Sequence, residues 1–344
     1  METISEWIRQ LPKAELHLHL EGTITPPTLV ELSMLGNARP MTLTEAQTLY
    51  AYEDFTGFLQ AFKTVVTELR GPAEYELAAW RMLEGLAAQG VCHAEVYISV
   101  GVIFRLRPEE DKSNPDLFPD IFAALERARV RGERELGVTL SWIFDAVRHF
   151  TVEEAARVFR LAAAMRTAYP SIVGIGLGGD ERKTGSEPFR ALYEEAAAAG
   201  LRLTNHAGET TGPEAIREAL EIGSERLGHV LSAADDPMLL QELLLRQVPL
   251  ELNPSSNVKT GVCASLEAHP LRRYFDAGLM VTLNSDDPAF FGATVADEYR
   301  LAHEVHGFSR AELRQLAENS FRSSFLPEAE KQAWIDRIGS VAGA

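Results

Sequence analysis

The sequence predicts an α/β fold, a closed (β/α)8 TIM barrel of eight parallel strands, and three observations support it. Short apolar runs alternate with long helical stretches rich in Ala, Leu and Glu along most of the chain. Most of these runs mix β-branched residues with leucine, as expected for parallel strands that are covered on both faces. The 344 residues, 46% of them hydrophobic, can bury a core of this size.

The alternation of strand and helix repeats eight times, which favours a closed barrel over an open sheet. The predicted strands are residues 14–19, 91–99, 138–145, 172–177, 201–206, 226–230, 249–253 and 279–284. Three connecting helices are predicted at 188–199, 213–222 and 237–246. Each of them begins with proline, which suits the first turn of an α-helix.

We expect one domain that spans residues 1–344. The segment 21–88, between the first two strands, is much longer than a simple βα connection needs. It predicts extra helices that form a lid over one mouth of the barrel. The stretch 105–120, with the sequence RLRPEEDKSNPDLFPD, is predicted to be an irregular loop.

Charge and cysteine content exclude several classes of function. The formal net charge of −17 would repel a polyphosphate backbone, so we expect no nucleic-acid partner. Two cysteines, Cys92 and Cys263, are too few for a disulfide framework or a cysteine-rich metal site. The N-terminal METISEWIRQ lacks the apolar region of a secretory signal, and no run is long enough to span a membrane. These features predict a cytoplasmic protein without a membrane partner.

Polar residues cluster where the predicted strands end, and the active sites of such barrels lie at the C-terminal ends of the strands. The first strand ends with His17 and His19, which point to the same side because they are two residues apart. Two imidazoles on one side suit a borderline-soft divalent metal. His206 and Asp286, at other strand ends, would complete a shell that leaves one position for water, as in a catalytic metal site.

Each of these residues also has an ordinary structural explanation. His206 and His229 could be core histidines, Glu209 a solvated charge, and Asp287 the N-cap of a helix that begins at Pro288. Polar groups at five strand ends in chain order are nevertheless hard to obtain from packing alone, which favours a site. For the remaining histidines we expect structural or surface roles. They are His93, His149, His269, His303 and His306.

The segments that carry these residues resemble the metal-dependent adenosine deaminase family. The chain contains, in the order of that family, PKAELHLHLEG, LGGDE, HAGETTGPE, ERLGH, NPSSN and LNSDDPAFFG. The resemblance extends from about residue 11 to the C-terminus by this count of motifs. It implies the barrel fold, one Zn²⁺ per chain, and hydrolytic removal of ammonia from a 6-aminopurine nucleoside.

The resemblance also implies individual roles. The implied zinc ligands are His17, His19, His206 and Asp286. Glu209 matches the acid that protonates purine N1, and His229 matches the residue that orients and deprotonates the attacking water. Asp287 matches the side chain that meets N7, and Gly179 matches the backbone N–H that meets N3. Glu21 stands where adenosine-specific members usually carry Asp, which meets the 5′-hydroxyl.

Two contrasts narrow the implied chemistry. Many relatives of this barrel hold two metals bridged by a modified lysine from the fourth strand. Residues 171–179 contain no lysine, so one metal per chain is expected. Other zinc deaminases use His-x-Glu with Pro-Cys-x-x-Cys, which two isolated cysteines exclude.

The sequence leaves three purines as candidate substrates. The runs YEDFTGFLQAF, LGGDE and HAGETTGPE resemble the branch that acts on 6-amino-6-deoxyfutalosine in menaquinone synthesis, and adenosine stands level with it. Adenine is third, because its deaminases share a Glu at the position of Glu21. The benzoate of aminodeoxyfutalosine predicts a cation near the lid or the loops after strands three and four. The candidates are Lys63, Arg70, Arg148, Arg182 and Lys183.

Two rival functions differ from a nucleoside deaminase. A barrel hydrolase of amides or esters could use the same metal, but the pairing of Glu209 with Asp287 speaks against it. A non-catalytic purine-binding or interaction protein predicts the loss of Glu209, His229 or a metal ligand, and none is lost. A homo-oligomer is compatible with the sequence, which leaves the oligomeric state open.

Overall fold

A computed structural model describes residues 2–36, 39–52, 55–114 and 116–340. Its sheet has eight parallel strands in the order β1 to β8. The strands are β1 Lys13–His19, β2 Val91–Ile98, β3 Thr139–Val147, β4 Ile172–Gly178, β5 Arg202–Ala207, β6 Arg226–His229, β7 Leu250–Leu252 and β8 Val281–Leu283. All eight predicted strands are confirmed, and so is the (β/α)8 barrel, with strand ends within two residues of those predicted.

Helices surround the sheet. They are α1 Ile4–Gln10, α2 Pro26–Gly36, α3 Leu43–Leu49, α4 Phe55–Thr67, α5 Pro72–Ala88, α6 Val100–Leu106, α7 Pro108–Ser113, α8 Leu117–Leu136, α9 Val152–Met165, α10 Arg190–Ala198, α11 Pro213–Glu221, α12 Pro237–Arg246, α13 Pro254–Lys259, α14 Leu271–Asp276, α15 Pro288–Phe291, α16 Val295–Glu304, α17 Arg310–Ser323 and α18 Glu328–Gly339. Short 3₁₀ turns lie at Glu21–Thr23, Glu187–Phe189 and Leu231–Asp235. Of the three helices predicted to begin with proline, α11 and α12 begin at Pro213 and Pro237, whereas α10 begins at Arg190 because Pro188 lies in the turn at 187–189.

The barrel closes between β1 and the residues that follow β8. Leu18 forms a parallel bridge with Asp286. The backbone N–H of His19 donates to the Asp286 carbonyl at 3.0 Å, and that of Asp286 donates to the His17 carbonyl at 3.0 Å. Three predicted ligands therefore lie on the closing seam, held by backbone hydrogen bonds.

Helices α2 to α5 occupy the segment between β1 and β2, and residues at the end of α3 and in α4 contact α15. The Tyr52 hydroxyl donates to the Phe290 carbonyl in α15 at 2.6 Å. The Phe58 ring in α4 lies 5.6 Å from that of Phe290 and 5.4 Å from that of Phe291, between centroids. These aromatic contacts hold α4 against α15, which follows the C-terminal end of β8. A single domain with a lid at 21–88 stays a prediction.

The prediction of an irregular loop at 105–120 is wrong. Helix α6 ends at Leu106, α7 covers Pro108–Ser113, and α8 begins at Leu117. The prolines in this stretch suggested a loop, but Pro108 and Pro119 lie in the first turns of α7 and α8. Proline is tolerated there because the N–H groups of a first helical turn have no intrahelical partner.

The structure bears on two features that the sequence excludes, a disulfide framework and a membrane-spanning helix. Cys92 and Cys263 are both free thiols, as expected for two isolated cysteines. Within the described ranges, no helix combines the length and the apolar character that crossing a bilayer requires. The cytoplasmic location stays a prediction.

Candidate active site

The four predicted metal ligands lie together at the C-terminal mouth of the barrel. Nε2 of His19 is 3.3 Å from Nε2 of His206. Oδ1 of Asp286 is 3.6 Å from Nε2 of His17 and 3.4 Å from Nε2 of His19. The strands thus bring donors from β1, β5 and the end of β8 to one point, as the sequence predicts.

This donor set fits one tetrahedral metal ion. Four nitrogen and oxygen donors bound at roughly 2.0–2.2 Å in a tetrahedron would be about 3.4 Å apart, close to the measured separations. Nε2 of His17 is buried and has no hydrogen-bond partner in the described part of the chain. Burial and the neighbouring histidines hold the pKa of His17 and of His206 well below the usual range. The rings are therefore neutral, as metal ligands must be.

Backbone strain is concentrated at this point. Four non-glycine residues of the described chain have a positive φ, and three of them are His229 at 67°, Val230 at 54° and Asp286 at 64°. Such a conformation costs about 1–3 kcal/mol when the residue is not glycine. Glycine would remove that cost but also the side chains of His229 and Asp286, so their retention indicates that these side chains are used.

A buried carboxylate that sequence reasoning missed orients the first ligand. Oε2 of Glu251 in β7 lies 2.7 Å from Nδ1 of His17. Arg226 forms ion pairs with this glutamate and with Glu95, and all three side chains are fully buried. Because Nδ1 of His17 donates to Glu251, its Nε2 is left without a proton and faces the other ligands. On the opposite side, Ser256 donates to Oδ2 of Asp286 at 2.6 Å.

The predicted acid, Glu209, follows β5 and reaches back over the site. Its Oε2 lies 3.8 Å from Nε2 of His229, and its side chain is 19% exposed. Burial raises the pKa of Glu209, and the negative charge of Asp286 adds to this effect. A carboxyl group with a raised pKa keeps more of its proton near neutral pH, as an acid catalyst requires.

Glu181 holds the turn that carries Glu209, a role that sequence reasoning missed. Its buried carboxylate accepts the backbone N–H of Gly208 at 2.7 Å, of Glu209 at 3.0 Å and of Thr210 at 2.9 Å. Three consecutive N–H groups on one carboxylate fix the backbone from which the Glu209 side chain projects. The available signal was the LGGDE motif, which ends in this glutamate.

We predict that Glu181→Gln lowers kcat by about 10- to 100-fold and changes KM little, because a hydrogen bond to a charged group contributes about 1.5–3 kcal/mol. The glutamine would turn an N–H towards the turn or leave one of the three N–H groups without a carboxylate partner. Steady-state kinetics checks this prediction, with Glu187→Gln as the control, since Glu187 is exposed on the same connection. A wild-type kcat in Glu181→Gln would contradict it.

A chain of hydrogen bonds fixes the proton of His229. The Leu271 N–H donates to Nδ1 of His269 at 3.2 Å, so Nε2 of His269 carries a proton and faces Oδ1 of Asn257 at 3.2 Å. The Asn257 amide nitrogen is thereby turned to Nδ1 of His229, at 2.9 Å. The neutral His229 ring therefore carries its proton on Nε2, which faces the site. The sequence predicts only a structural or surface role for His269 and none for Asn257.

Asp287 and Glu21 are buried carboxyl groups with unpartnered oxygens. Oδ1 of Asp287 and Oε2 of Glu21 have no hydrogen-bond partner among the described residues. Oε1 of Glu21 accepts the backbone N–H of Ser99 at 3.1 Å, and burial raises the pKa of Glu21 to about 7. A Cβ atom on Gly22 would lie 1.9 Å from Oδ1 of Asp287, so only glycine leaves room for that carboxyl group. Both oxygens can therefore form a hydrogen bond with a bound molecule.

Gly179 follows β4 with φ of 92°, a conformation that favours glycine. A Cβ atom on it would lie 2.8 Å from Nδ1 of His149, which also accepts the backbone N–H of Asp180 at 3.1 Å. The turn after β4 is therefore fixed against His149, and Gly178, the residue before it, lies beside His206, since a Cβ atom on Gly178 would be 3.4 Å from Cε1 of that ring.

The structure removes Arg148 from the predicted substrate-facing cations. Its guanidinium is buried and donates to the carbonyls of Leu177 and His206 and to Oδ1 of Asn205, which joins β4 to β5. Arg182 pairs with Asp180 at 3.1 Å. Arg70 donates to the carbonyl of Gly36 and pairs with Glu68, whereas Lys63 and Lys183 have exposed side chains. Burial and the charge of Lys183 lower the pKa of His149, which places Lys183 beside the turn that follows β4.

Comparisons with known proteins agree with this geometry. A family model described as "Adenosine deaminase" matches residues 12–341. A relative named "Aminodeoxyfutalosine deaminase" from Streptomyces coelicolor is 36% identical and covers 98% of this chain and 86% of its own. An "Adenine deaminase" from Geotalea uraniireducens is 34% identical over 95% of this chain and 90% of its own. The crystal structure of an adenine deaminase from Arthrobacter aurescens, 32% identical, superposes with a TM-score of 0.85 over 95% of this chain and 98% of that one.

Proposed function

The chain belongs to the adenosine deaminase family, and from that premise we propose that it hydrolyses the 6-amino group of a purine nucleoside and releases ammonia. The observation that carries the proposal is the convergence of three imidazoles and one carboxylate beside Glu209. The family is metal-dependent, and this donor set agrees with that property. Zn²⁺ is the proposed ion, one per chain, with His17, His19, His206 and Asp286 as its ligands.

Bound to these four groups, the ion would supply the Lewis acidity that makes water nucleophilic near neutral pH. The protein has to keep its ligands deprotonated and aligned. Glu251 does so at His17, and Ser256 does so at Asp286. His17, His206 and Asp286 are buried and the side chain of His19 is only 12% exposed, which limits the access of bulk water and strengthens the electrostatic interactions at the site.

Glu209 is proposed to protonate N1 of the purine. When a water oxygen bonds to C6, a π-electron pair moves to N1, and ring aromaticity is lost unless N1 takes a proton. The raised pKa of Glu209 keeps that proton available. The C6–NH₂ bond then breaks: one proton of the attacking water leaves with the nitrogen as ammonia, the other restores the proton of Glu209, and a 6-oxopurine remains.

His229 is proposed to orient the attacking water. Its Nε2–H faces the site and can donate to an oxygen there, because Asn257 occupies Nδ1. Because Nε2 already carries a proton, the ring in this tautomer orients the water and does not take its proton. The deprotonating role that the family resemblance implies would require the opposite tautomer, with the proton on Nδ1. The amide nitrogen of Asn253 lies 3.3 Å from Nδ1.

The remaining proposed roles are contacts with the substrate. We propose that Asp287 meets N7, that the Gly179 N–H meets N3, and that Glu21 meets the 5′ end of the sugar. The substrate is proposed to be 6-amino-6-deoxyfutalosine, in line with the names of two relatives, or adenosine, in line with the description of the family model. Adenine is a second candidate, because the unpartnered oxygen of Glu21 can accept the N9–H of a free base.

The test measures kcat/KM for adenosine, 2′-deoxyadenosine, adenine and 6-amino-6-deoxyfutalosine. Turnover is monitored through the ultraviolet shift that accompanies conversion of a 6-aminopurine to a 6-oxopurine. The proposal expects a nucleoside to be the best substrate. A tenfold preference for adenine would favour the second candidate, about the discrimination that 1.4 kcal/mol provides. Tight purine binding without turnover would instead support the non-catalytic barrel.

We predict that Lys183→Ala raises KM for 6-amino-6-deoxyfutalosine about two- to fivefold and leaves KM for adenosine unchanged. The benzoate of the first substrate would lose an exposed ion pair, which contributes about 0.2–1 kcal/mol. Lys63→Ala is the matched control, an exposed lysine on the lid helix α4. Equal changes for both substrates, or none, would exclude Lys183 as the partner of the benzoate.

We propose that the protein acts on a small molecule in the cytoplasm, without nucleic-acid or membrane partners. The net charge of −17 supports the absence of a polyanionic partner. Homo-oligomer formation stays a prediction, which sedimentation of the purified chain would test.

A further inference from the structure

Glu298 is a buried glutamate of α16 that none of the roles above uses. It is 1% exposed, and its Oε2 has no hydrogen-bond partner among the residues that the structure describes. Its Oε1 accepts the backbone N–H of Ser255 at 3.1 Å. A buried carboxyl group with one unused oxygen is costly, so its retention indicates that the remaining hydrogen bond is needed.

Ser255 lies in the first turn of α13, a helix whose N-cap residue does not cap it. The first N–H groups of a helix have no intrahelical partner, and an Asn at the N-cap position usually accepts one of them. Asn253 occupies that position, yet within the described ranges it forms no side-chain capping bond, and its Oδ1 has no partner. Its amide nitrogen lies 3.3 Å from Nδ1 of His229 instead. Glu298 therefore supplies, from another helix, the acceptor that Asn253 does not provide.

Helix α13 carries two side chains that contact residues of the site. Ser256 donates to Oδ2 of Asp286, a proposed metal ligand, at 2.6 Å. The Asn257 amide nitrogen lies 2.9 Å from Nδ1 of His229. Both side chains follow Ser255 directly in the chain, so the placement of the Ser255 backbone decides how they reach the site.

The start of α16 fixes the position of Glu298. The hydroxyl of Thr294, the N-cap residue, donates to Oδ2 of Asp297 at 2.6 Å and accepts the Asp297 N–H at 3.3 Å. The backbone N–H of Glu298 donates to the Thr294 carbonyl at 2.9 Å. Burial raises the pKa of Glu298 to about 8, so the carboxyl group is mostly uncharged at neutral pH. The acceptor for Ser255 is thus a neutral group on the first turn of a capped helix.

We propose that Glu298 is a positioning residue for the deamination, which caps α13 from outside and so holds Ser256 and Asn257 against the site. The inference rests on the proposed function, which assigns Asp286 to the metal and His229 to the attacking water. A carboxyl group that only stabilises the fold would change Tm and leave the kinetics of the folded, metal-loaded enzyme as they are. A positioning residue changes kcat and metal affinity in folded protein, so the two roles are separable.

The test compares wild type with Glu298→Leu and Glu298→Gln in kcat, KM, zinc affinity and Tm. Glu298→Leu should lower kcat about 5- to 100-fold and change KM less than about twofold, because a buried N–H loses its acceptor while the substrate keeps its contacts. Zinc affinity, measured by competition with a chelator, should fall about two- to tenfold, less than for a direct partner of a metal ligand. Glu298→Gln keeps a neutral oxygen acceptor, so its kcat and zinc affinity should stay within about threefold of wild type.

Ser255→Pro is the second variant, since it removes the donor and leaves Glu298 in place. Proline is tolerated in the first turn of a helix, and α2 of this chain begins with Pro26 and Pro27, so a second proline after Pro254 is compatible with α13. Ser255→Pro should reproduce the fall in kcat and in zinc affinity of Glu298→Leu. Wild-type values of both in a folded Ser255→Pro would overturn the proposal.

Glu304→Leu is the matched control, an exposed glutamate of the same helix that pairs with Arg300 at 2.6 Å, and it should behave as wild type. The loss in Glu298→Leu should shrink in proteins that already carry Ser256→Ala or Asn257→Ala, because the side chain that Glu298 positions is then absent. An undiminished loss in both alanine backgrounds would overturn the proposal, as would a folded Glu298→Leu with wild-type kcat and zinc affinity. A wild type that deaminates none of the candidate purines would refute the proposed function itself, and the fall in zinc affinity would still decide the role of Glu298.

Discussion

Replacing Glu209 with glutamine is expected to lower kcat by about 10²- to 10⁴-fold, the usual contribution of a positioned acid catalyst. The amide keeps the shape of the side chain but cannot transfer a proton to N1. Burial and the charge of Asp286 disfavour the ionised form of Glu209, so the wild-type group is the acid that the reaction needs. Single-turnover kinetics with metal analysis checks this prediction, and zinc content should stay at the wild-type value.

The pH dependence gives a second readout of the same variant. The acid is active when protonated, so its contribution is lost as pH rises through the raised pKa of Glu209. In the wild type, the fall in kcat with rising pH should therefore occur above the pKa range of an ordinary carboxyl group. This fall should be missing in Glu209→Gln. Glu214→Gln is the control, an exposed glutamate in the same connection between β5 and β6. Substantial turnover in Glu209→Gln would refute the role of Glu209 as the acid.

Removing one metal ligand is expected to abolish measurable turnover, because the attacking water depends on the metal for several kcal/mol of stabilisation. His19→Ala leaves three donors of the set and opens the coordination shell. Wild-type protein stripped by a chelator should lose activity and regain it with Zn²⁺, whereas His19→Ala should stay inactive at the same zinc concentration. Inductively coupled plasma mass spectrometry reports the bound metal.

Two controls separate metal loss from general damage. His303→Ala removes a histidine that lies outside the site and bonds to the Phe308 carbonyl at 2.7 Å, so zinc and activity should be retained. Glu251→Gln keeps all four ligands but weakens the orientation of His17, which should cost about 10- to 100-fold in metal affinity. An active, zinc-free His19→Ala would contradict the assignment of the metal.

The fold and the first layer of the site were predictable from local patterns. Strands appear as apolar runs, and His17, His19, His206 and Asp286 follow such runs at the ends where barrel sites lie. Their meeting in space requires only that parallel strands present their C-terminal ends on one face. The motifs of the family resemblance add the individual roles.

The supporting layer could not be predicted, because it depends on pairs of residues that are distant in sequence. Glu251 is 234 residues from His17, and nothing in the run around it marks a carboxylate that binds a histidine. Asp145 ends a predicted strand, but the room for its carboxyl group comes from Gly176 and Gly178 of the neighbouring strand. The sequence also predicted a contact that the structure does not form. Arg148 was a candidate to face the substrate, but its guanidinium donates to backbone carbonyls.

The most direct test of the metal-dependent deaminase is ammonia release from a 6-aminopurine nucleoside by metal-free protein and by protein reconstituted with Zn²⁺. We predict no turnover without metal, and recovery that reaches its maximum at one ion per chain, with one ammonia for each 6-oxopurine formed. Turnover that is indifferent to metal removal would contradict this account. So would a fully occupied metal site that deaminates none of the candidate purines.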